Sequence, residues 1–314
     1  MPRPIITTCS GAALAALLLF ITSPSTCCRA ADEYAPLLPT SMRPEGPWPY
    51  TERSDEVYGS PEGIDLHLDL ALPQGDGPFP GIVVIHGGAW RGGDRKAHRD
   101  LTQLFASYGY VACTVQYRLC PTHLFPAQIH DVKCAVRWLR SHAGELRLDP
   151  ERIGAIGLSA GAHLAMLLGL TGPEDGLDGD CGDPAVSARV KAVVSFAGPT
   201  DLAAPDLPEA SVVLVRDFLG GAADEKPDLY RAASPIHHVS AGDASMLLLQ
   251  GTRDPLVPHT QALAMVDRLT EAGVPARIEI LVGASHGWGG TELIRTLRGA
   301  VEFFHQQLSF ANQI

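Results

Sequence analysis

Several features are scarce in this chain of 314 residues, and each scarcity excludes a class of protein. Basic residues are outnumbered, with 24 Lys and Arg against 35 Asp and Glu, which gives a net charge of -11. A surface of that sign repels phosphates, so the composition argues against a nucleic-acid partner. Charged residues make up 19% and hydrophobic residues 46% of the chain, proportions typical of a globular protein. There is no internal repeat and no low-complexity tract.

A hydrophobic run long enough to cross a membrane is also missing. The apolar stretch from Gly11 to Ile21 is shorter than the roughly 20 residues that a spanning helix needs. Arg3 precedes this stretch and Ala30 follows it at a plausible cleavage position, so residues 1–30 are predicted to be a secretory signal peptide. The predicted location is secreted or periplasmic, without a stable membrane span. An uncleaved anchor and lipidation at Cys27 remain alternatives.

Cysteines at C-x-x-C spacing are absent, which argues against a zinc or redox site. Four of the seven cysteines lie beyond the signal peptide, an even number in a chain bound for an oxidising compartment: Cys113, Cys120, Cys134 and Cys181. Spacing selects none of the three pairings, and it leaves open whether a disulfide forms at all. Cys113 also fits a small core residue in a strand.

No metal or cofactor is predicted. The acidic, glycine-rich stretch 174–183 resembles a calcium loop but lacks the glutamate that an EF-hand needs, so it is interpreted as a solvated loop. His237 and His238 are adjacent, and neighbouring side chains face apart, which makes them a poor chelating pair.

The remaining chain alternates strand and helix patterns, which predicts an α/β fold with a mostly parallel sheet flanked by helices. The alternating stretch 64–70 predicts a half-exposed antiparallel strand near an edge. Short apolar runs predict buried strands over 82–85, 110–115, 153–158, 190–196, 246–249 and 278–282. Helical spacing or composition predicts helices over 126–142, 160–170, 261–271 and 291–307. One domain is predicted over 57–314, after an extended lead-in over 31–56.

The interval 199–239 breaks this alternation, and one predicted helical piece, 212–219, is surrounded by Pro205, Pro208, Pro227 and Pro235. Its place in the order of elements favours an insertion over the carboxyl edge of the sheet, a candidate cap. The alternative is a long connection with one covering helix.

The chemistry-bearing motif is Gly157-Leu158-Ser159-Ala160-Gly161, at the junction of a predicted buried strand and a predicted helix. A serine on such a turn adopts a strained backbone that projects its hydroxyl above the sheet. The turn is so tight that the residues two before and two after must lack a side chain. Ser159 is therefore predicted to be a nucleophile rather than an incidental turn residue.

A serine nucleophile needs a base and an acid that orients the base. His286 is the predicted base, because it follows the last predicted strand. Asp254 is the predicted acid, because it lies in the loop after the preceding strand. Asp201 and Asp243 are the rival acids.

The loop His86-Gly87-Gly88-Ala89-Trp90 follows the first buried strand, where small residues let backbone N–H groups approach a substrate carbonyl. The predicted oxyanion hole draws on Gly87, Gly88 and Ala89 of this loop together with the N–H group of Ala160. His86 is predicted to fix the loop. Trp90 and Trp288 are the candidate substrate-binding residues, with simple packing as the equal alternative for Trp90.

With these residues identified, the chain resembles the α/β-hydrolase esterase/lipase superfamily and, within it, the bifunctional feruloyl/acetylxylan esterase group. The resemblance covers roughly 57–308 and is carried by segments 86–90, 117–119, 125–128, 131–140, 157–161, 233–236, 251–254 and 285–287. One departure is Ala89-Trp90, where many relatives of the lipase branch have a third glycine. The resemblance implies the α/β-hydrolase fold and no cofactor.

The expected function is that of a serine carboxylic ester hydrolase with an acyl-enzyme intermediate, acting on acetyl or feruloyl esters of plant polysaccharide. The substrate is expected to be a small-molecule or polysaccharide-linked ester, and the oligomeric state is left open. A general carboxylesterase is the main alternative, followed by an arylformamidase. A prolyl-oligopeptidase-type exopeptidase is less favoured, because a large N-terminal domain would be expected with that activity. A non-catalytic relative is disfavoured because Ser159, Asp254 and His286 are all present.

Overall fold

A computed structural model describes residues 47–309 of the chain. The predicted signal peptide and the lead-in up to residue 46 lie outside the described residues. Within 47–309, no helix combines the length and the apolar character that a membrane span requires.

An eight-stranded mixed sheet organises the described residues, with strand order β1-β2-β4-β3-β5-β6-β7-β8. The strands are β1 Tyr50–Gly59, β2 Leu66–Pro73, β3 Phe79–Ile85, β4 Val111–Val115, β5 Leu148–Leu158, β6 Ala192–Phe196, β7 Ser245–Gly251 and β8 Ala276–Leu281. Strand β2 pairs antiparallel with both β1 and β4, and all other pairs are parallel. The prediction of an α/β fold with an antiparallel strand near one edge is confirmed.

Helices cover both faces of this sheet. They are α1 Arg99–Ser107, α2 Ala127–Ser141, α3 Ala143–Leu146, α4 Ala160–Leu170, α5 Glu209–Leu219, α6 Pro227–Ala233, α7 His259–Glu271 and α8 Gly290–Leu308. Along β3, Val83 and Ile85 pack into the core beneath α2 and α4, whereas Ile82 and Val84 pack into the core beneath α1 and α8. Coverage on both faces explains the continuous apolar runs of the central strands.

Strand β1 was not predicted. Its sequence carries exposed polar residues on both faces, and its pairing with β2 is interrupted by register shifts next to Arg53 and Val57. An edge strand of this kind has no apolar alternation to detect. The predicted lead-in therefore overlaps the sheet at residues 50–56.

The acidic stretch after α4 is fastened to α2. Asp178 accepts hydrogen bonds from Lys133 Nζ at 2.6 Å and from Arg137 Nη2 at 2.8 Å, and both cations are buried. A disulfide joins Cys134 to Cys181, while Cys113 and Cys120 are free and buried. The loop predicted to be merely solvated is therefore held by two ion pairs and a covalent link.

The 199–239 segment contains α5, α6 and a short 3-10 helix, Pro235–His237. Helix α5 begins three residues before the predicted piece, and α6 was not predicted. At the N-terminal end of α5, Ser211 Oγ donates to the carbonyl oxygen of Leu256 at 2.6 Å, and near its C-terminal end the buried Phe218 stacks on Trp90. Helix α5 thus lies between the loop after β7 and the loop after β3.

Candidate active site

Ser159 occupies the sharp turn between β5 and α4, with φ 53° and ψ −118°. This left-handed backbone is costly for a residue with a side chain, and such strain is concentrated at functional sites. A methyl group on Gly157 would overlap the carbonyl oxygen of Gly161, and one on Gly161 would overlap that of Ile85. The serine turn therefore has the local geometry expected from its motif.

The side chains of Ser159, His286 and Asp254 form one hydrogen-bonded chain. The Ser159 hydroxyl donates to Nε2 of His286 at 2.8 Å, and Nδ1 of His286 donates to Oδ2 of Asp254 at 2.8 Å. Three separate loops supply them, each at the carboxyl end of a parallel strand or just after it, so all three meet at one edge of the sheet. Such an array can move a proton from the hydroxyl to the imidazole.

The side chain of Asp254 is fully buried, and each of its carboxylate oxygens accepts two hydrogen bonds. Oδ1 accepts from the backbone N–H groups of Leu256 at 2.8 Å and Val257 at 2.9 Å, and Oδ2 also accepts from Nε2 of Gln250 at 3.0 Å. Gln250 is itself held by the carbonyl oxygen of Val257 at 2.8 Å. These bonds fix the carboxylate towards His286, and sequence reasoning missed Gln250 because it lies within an ordinary apolar strand.

Neither rival carboxylate is bonded to His286 in the structure. Asp243 pairs with Arg189 and accepts from the backbone N–H of Ser240, and Asp201 accepts from the backbone N–H of Ala203. Neither carboxylate therefore orients the imidazole of His286 in this structure.

The loop after β3 holds three consecutive residues in the left-handed region, Gly88 at φ 114°, Ala89 at φ 51° and Trp90 at φ 57°. Within residues 47–309, no acceptor takes the backbone N–H of Gly87, Gly88, Ala89 or Ala160. A methyl group on Gly87 would stand 3.4 Å from Cβ of Ser159, which places this loop directly beside the serine. The unused N–H groups supply what an oxyanion site requires.

His86, the first residue of this loop, stabilises it through contacts with Gly87 and Tyr117. Its ring stacks on Tyr117 with centroids 4.2 Å apart, Nδ1 donates to the Gly87 carbonyl at 2.8 Å, and the Tyr117 hydroxyl donates to the His86 carbonyl at 2.9 Å. Burial lowers the pKa of His86 to about 4. A neutral, enclosed imidazole is consistent with a structural role for His86.

The two candidate substrate-binding tryptophans are both largely buried. Trp90 is 3% exposed, stacks on Phe218, and donates its indole N–H to Nδ1 of His163. Trp288 is 9% exposed, stacks on Phe196, and donates to the Thr296 hydroxyl. Both indoles are therefore packed against aromatic neighbours, and their part in substrate binding stays a prediction. The apolar sequence around His163 gave no sign that it would pair with Trp90.

Solved structures with the same fold include esterases. A truncated carbohydrate esterase from gut microbiota aligns with a TM-score of 0.72 and 28% identity, covering 84% of this chain and 98% of that one. Esterase 2 of Thermogutta terrifontis, phosphonylated by sarin, aligns with a TM-score of 0.71 and 28% identity, covering 86% of this chain and 98% of that one. The α/β-hydrolase fold is therefore established.

Curated relatives are esterases as well. Esterase LipC of Mycobacterium tuberculosis is 30% identical over 84% of this chain and 66% of its own length. The probable carboxylic ester hydrolase LipM of the same organism is 34% identical over 71% of this chain and 52% of its own length. The chain thus spans about half to two thirds of these relatives.

The family model described as BD-FAE matches residues 68–269, which is more than half of the chain. This stretch runs from β2 to α7, and it includes the loop after β3, the Ser159 turn and the Asp254 loop. The resemblance stated from the sequence motifs is confirmed: the chain belongs to the BD-FAE family of α/β-hydrolase esterases.

Proposed function

We propose that this protein is a serine carboxylic ester hydrolase in which Ser159 is the nucleophile, His286 the general base and acid, and Asp254 the residue that orients His286. The observation that carries the proposal is the pair of 2.8 Å hydrogen bonds that join Ser159 to His286 and His286 to Asp254. The strained backbone of Ser159 adds to it.

In the first half-reaction, Ser159 Oγ forms a bond to the ester carbonyl carbon while its proton passes to Nε2 of His286. The carbonyl oxygen gains the negative charge and is stabilised by the N–H groups of Gly88, Ala89 and Ala160. The carbon–oxygen bond to the alcohol then breaks, and His286 returns the proton to the leaving alcohol. The products of this step are a free alcohol and an acyl group on Ser159.

In the second half-reaction, a water molecule attacks the acyl carbon and gives a proton to His286. The bond between the acyl carbon and Ser159 Oγ breaks, Oγ takes the proton from His286, and the carboxylic acid leaves. Buried Asp254 stabilises the imidazolium formed in both halves because its carboxylate is held towards Nδ1.

As substrate, we propose short-chain acyl esters such as acetyl esters, or feruloyl esters, of plant polysaccharide as the class to test first. Support comes from the family match and from similarity to proteins named carbohydrate esterase and bifunctional GH43-CE of Bacteroides eggerthii. The main alternative, a general carboxylesterase, is supported by similarity to an esterase solved with propionate bound.

The test incubates the mature protein with acetylated xylan, methyl ferulate and an aryl acetate, with Ser159→Ala as the blank. Acetate or ferulate released by the wild type alone supports the polysaccharide assignment. Cleavage of the aryl acetate only would overturn that assignment and leave a general carboxylesterase. Equal activity of Ser159→Ala on all three substrates would overturn the serine mechanism itself.

We further propose that the protein is exported through its N-terminal segment. The Cys134–Cys181 disulfide supports this location, because disulfides persist in oxidising compartments. Expression of the full chain in a bacterial host is expected to yield a periplasmic or secreted product that begins near residue 31. Intact chain confined to the cytosol would contradict the proposal.

A further inference from the structure

The loop after β3 needs a support that local sequence does not provide. Ala89 and Trp90 both adopt left-handed backbone angles, which residues with side chains adopt at a cost. Such a conformation persists only where surrounding contacts over-determine it. The contacts of the Trp90 side chain identify what holds the end of this loop.

Trp90 is held on two sides. Its ring stacks on Phe218 of α5, with centroids 4.2 Å apart and an angle of 10° between the planes. Its indole N–H donates to Nδ1 of His163 at 3.3 Å, and the two rings meet edge to face. Stacking tolerates sliding, whereas a hydrogen bond to a ring nitrogen defines a direction. The contact with His163 is therefore the one that sets the position of Trp90.

His163 is itself fixed in orientation. It lies in α4 one turn after the serine, its backbone N–H donates to the Ser159 carbonyl at 3.0 Å, and its side chain is fully buried. Nε2 donates to the carbonyl oxygen of Ala233 at 2.7 Å, so Nδ1 must be the acceptor in the neutral ring. Burial lowers the pKa of His163 to about 4, which keeps Nδ1 free to accept at neutral pH.

Three motif segments thus converge on this imidazole: the loop ending at Trp90, the Ser159 helix, and the segment that begins at Ala233. We propose that His163 is a positioning residue, whose Nδ1 holds Trp90 and thereby keeps the N–H groups of Gly88 and Ala89 at a fixed distance from Ser159. This inference rests on the proposed function, because the role of the loop as an oxyanion site is part of that proposal.

The proposal predicts a particular kinetic effect. Oxyanion donors act in the transition state, so a displaced loop lowers kcat while KM stays nearly unchanged. A displacement of about 1 Å costs on the order of 100-fold in rate. A residue that merely fills the core would instead lower the melting temperature and leave the kcat of the folded enzyme intact.

Two replacements of His163 separate its two hydrogen bonds. His163→Gln keeps a donor that reaches towards the Ala233 carbonyl but offers no acceptor where Nδ1 was. His163→Asn keeps an acceptor near the Nδ1 position but is too short to reach Ala233. Trp90→Phe removes the indole donor and retains a ring on Phe218. The exposed His305→Gln on α8 is the matched control.

The measurements are kcat and KM on an aryl acetate and the Kd of a boronic acid, whose tetrahedral adduct with serine directs an oxygen towards the loop. We expect His163→Gln and Trp90→Phe each to lower kcat by about 10- to 100-fold. The Kd of the boronic acid should rise by a similar factor. His163→Asn should retain most of the wild-type kcat. The double variant Trp90→Phe/His163→Gln should lose no more than the stronger single variant, because both remove the same bond.

Folded variants with unchanged kcat, or losses that add in the double variant, would overturn the proposal. Melting curves and circular dichroism identify the variants that qualify as folded, and Trp90→Phe provides a second route where His163→Gln does not fold. Failure of the underlying function is recognised separately, since Ser159→Ala would then be as active as the wild type. Normal dependence on Ser159 with unaffected His163→Gln would refute the positioning role alone.

Discussion

Gly161 and Ile85 are in such close contact that a methyl group on Gly161 would overlap the Ile85 carbonyl oxygen. Ile85 ends β3, immediately before the loop with the unused N–H groups, and Gly161 lies in the first turn of α4 behind Ser159. This contact therefore sets the spacing between the two segments that supply the proposed oxyanion donors.

Gly161→Ala is expected to force that spacing apart. The free energy of unfolding should fall by about 1 to 3 kcal/mol, the usual cost of overpacking, and kcat should fall on the order of 100-fold. Urea unfolding and aryl acetate kinetics measure the two effects. Gly299→Ala is the control, because Gly299 lies in α8 with open space where an added Cβ would stand, and the variant should gain about 0.5 to 1 kcal/mol in free energy of unfolding as a helical alanine. Wild-type kcat in Gly161→Ala would contradict the interpretation.

Asp254→Asn is expected to lower kcat by about 10⁴-fold, because an amide in place of the carboxylate favours the wrong imidazole tautomer and no longer stabilises the imidazolium. Asp201→Asn tests the rival acid and should remain within about twofold of the wild type, since the Asp201 carboxylate bonds to the backbone N–H of Ala203 and not to His286. The comparison uses kcat on one aryl acetate. A large loss in Asp201→Asn with a small one in Asp254→Asn would reverse the assignment.

Acidification is expected to destabilise the fold through His86 and His163. Burial lowers the pKa of each from 6.5 to about 4 in the folded protein. Between those values the unfolded chain binds protons that the folded protein does not, so the free energy of unfolding decreases as the pH falls. Each histidine contributes a slope of up to about 1.4 kcal/mol per pH unit near pH 5.

Urea unfolding at pH 7.5, 6 and 5 measures that slope. His163→Gln removes one of these two groups. The slope of the unfolding free energy against pH near pH 5 should therefore decrease by about the contribution of one proton. A slope that is the same in His163→Gln and in the wild type would show that His163 is not buried in the neutral form.

Removal of the Cys134–Cys181 disulfide is expected to destabilise the protein. The bond joins residues 47 positions apart, and a loop of that length corresponds to about 4 kcal/mol of chain entropy. The double variant Cys134→Ala/Cys181→Ala should therefore unfold at a lower urea concentration, and a reductant should shift the wild type in the same direction. Cys113→Ala is the control, because the Cys113 thiol takes no part in the disulfide. The reductant should therefore shift this variant as it shifts the wild type. An unchanged midpoint in the double variant would contradict the prediction.

Some residues of the site could be predicted from local sequence patterns, and others could not. Ser159 and its strained turn follow from five consecutive residues, because the requirement for small neighbours is local. His286 and Asp254 could be predicted from their order relative to strands, since parallel strands deliver their carboxyl ends to one edge. Gln250, by contrast, is one polar residue in a buried strand, and nothing in its neighbours signals a bond to Asp254.

Local sequence therefore determined the order of strands and helices, the serine turn and the candidates for its partners, because period, turn geometry and chain order are written within short stretches. Only the tertiary structure decided which cysteines pair, that residues 50–56 join the sheet, and that Trp90 faces His163 and Phe218 rather than an open pocket. The physical reason is distance along the chain: Trp90 meets residues 73 and 128 positions away, and such contacts depend on how whole elements pack.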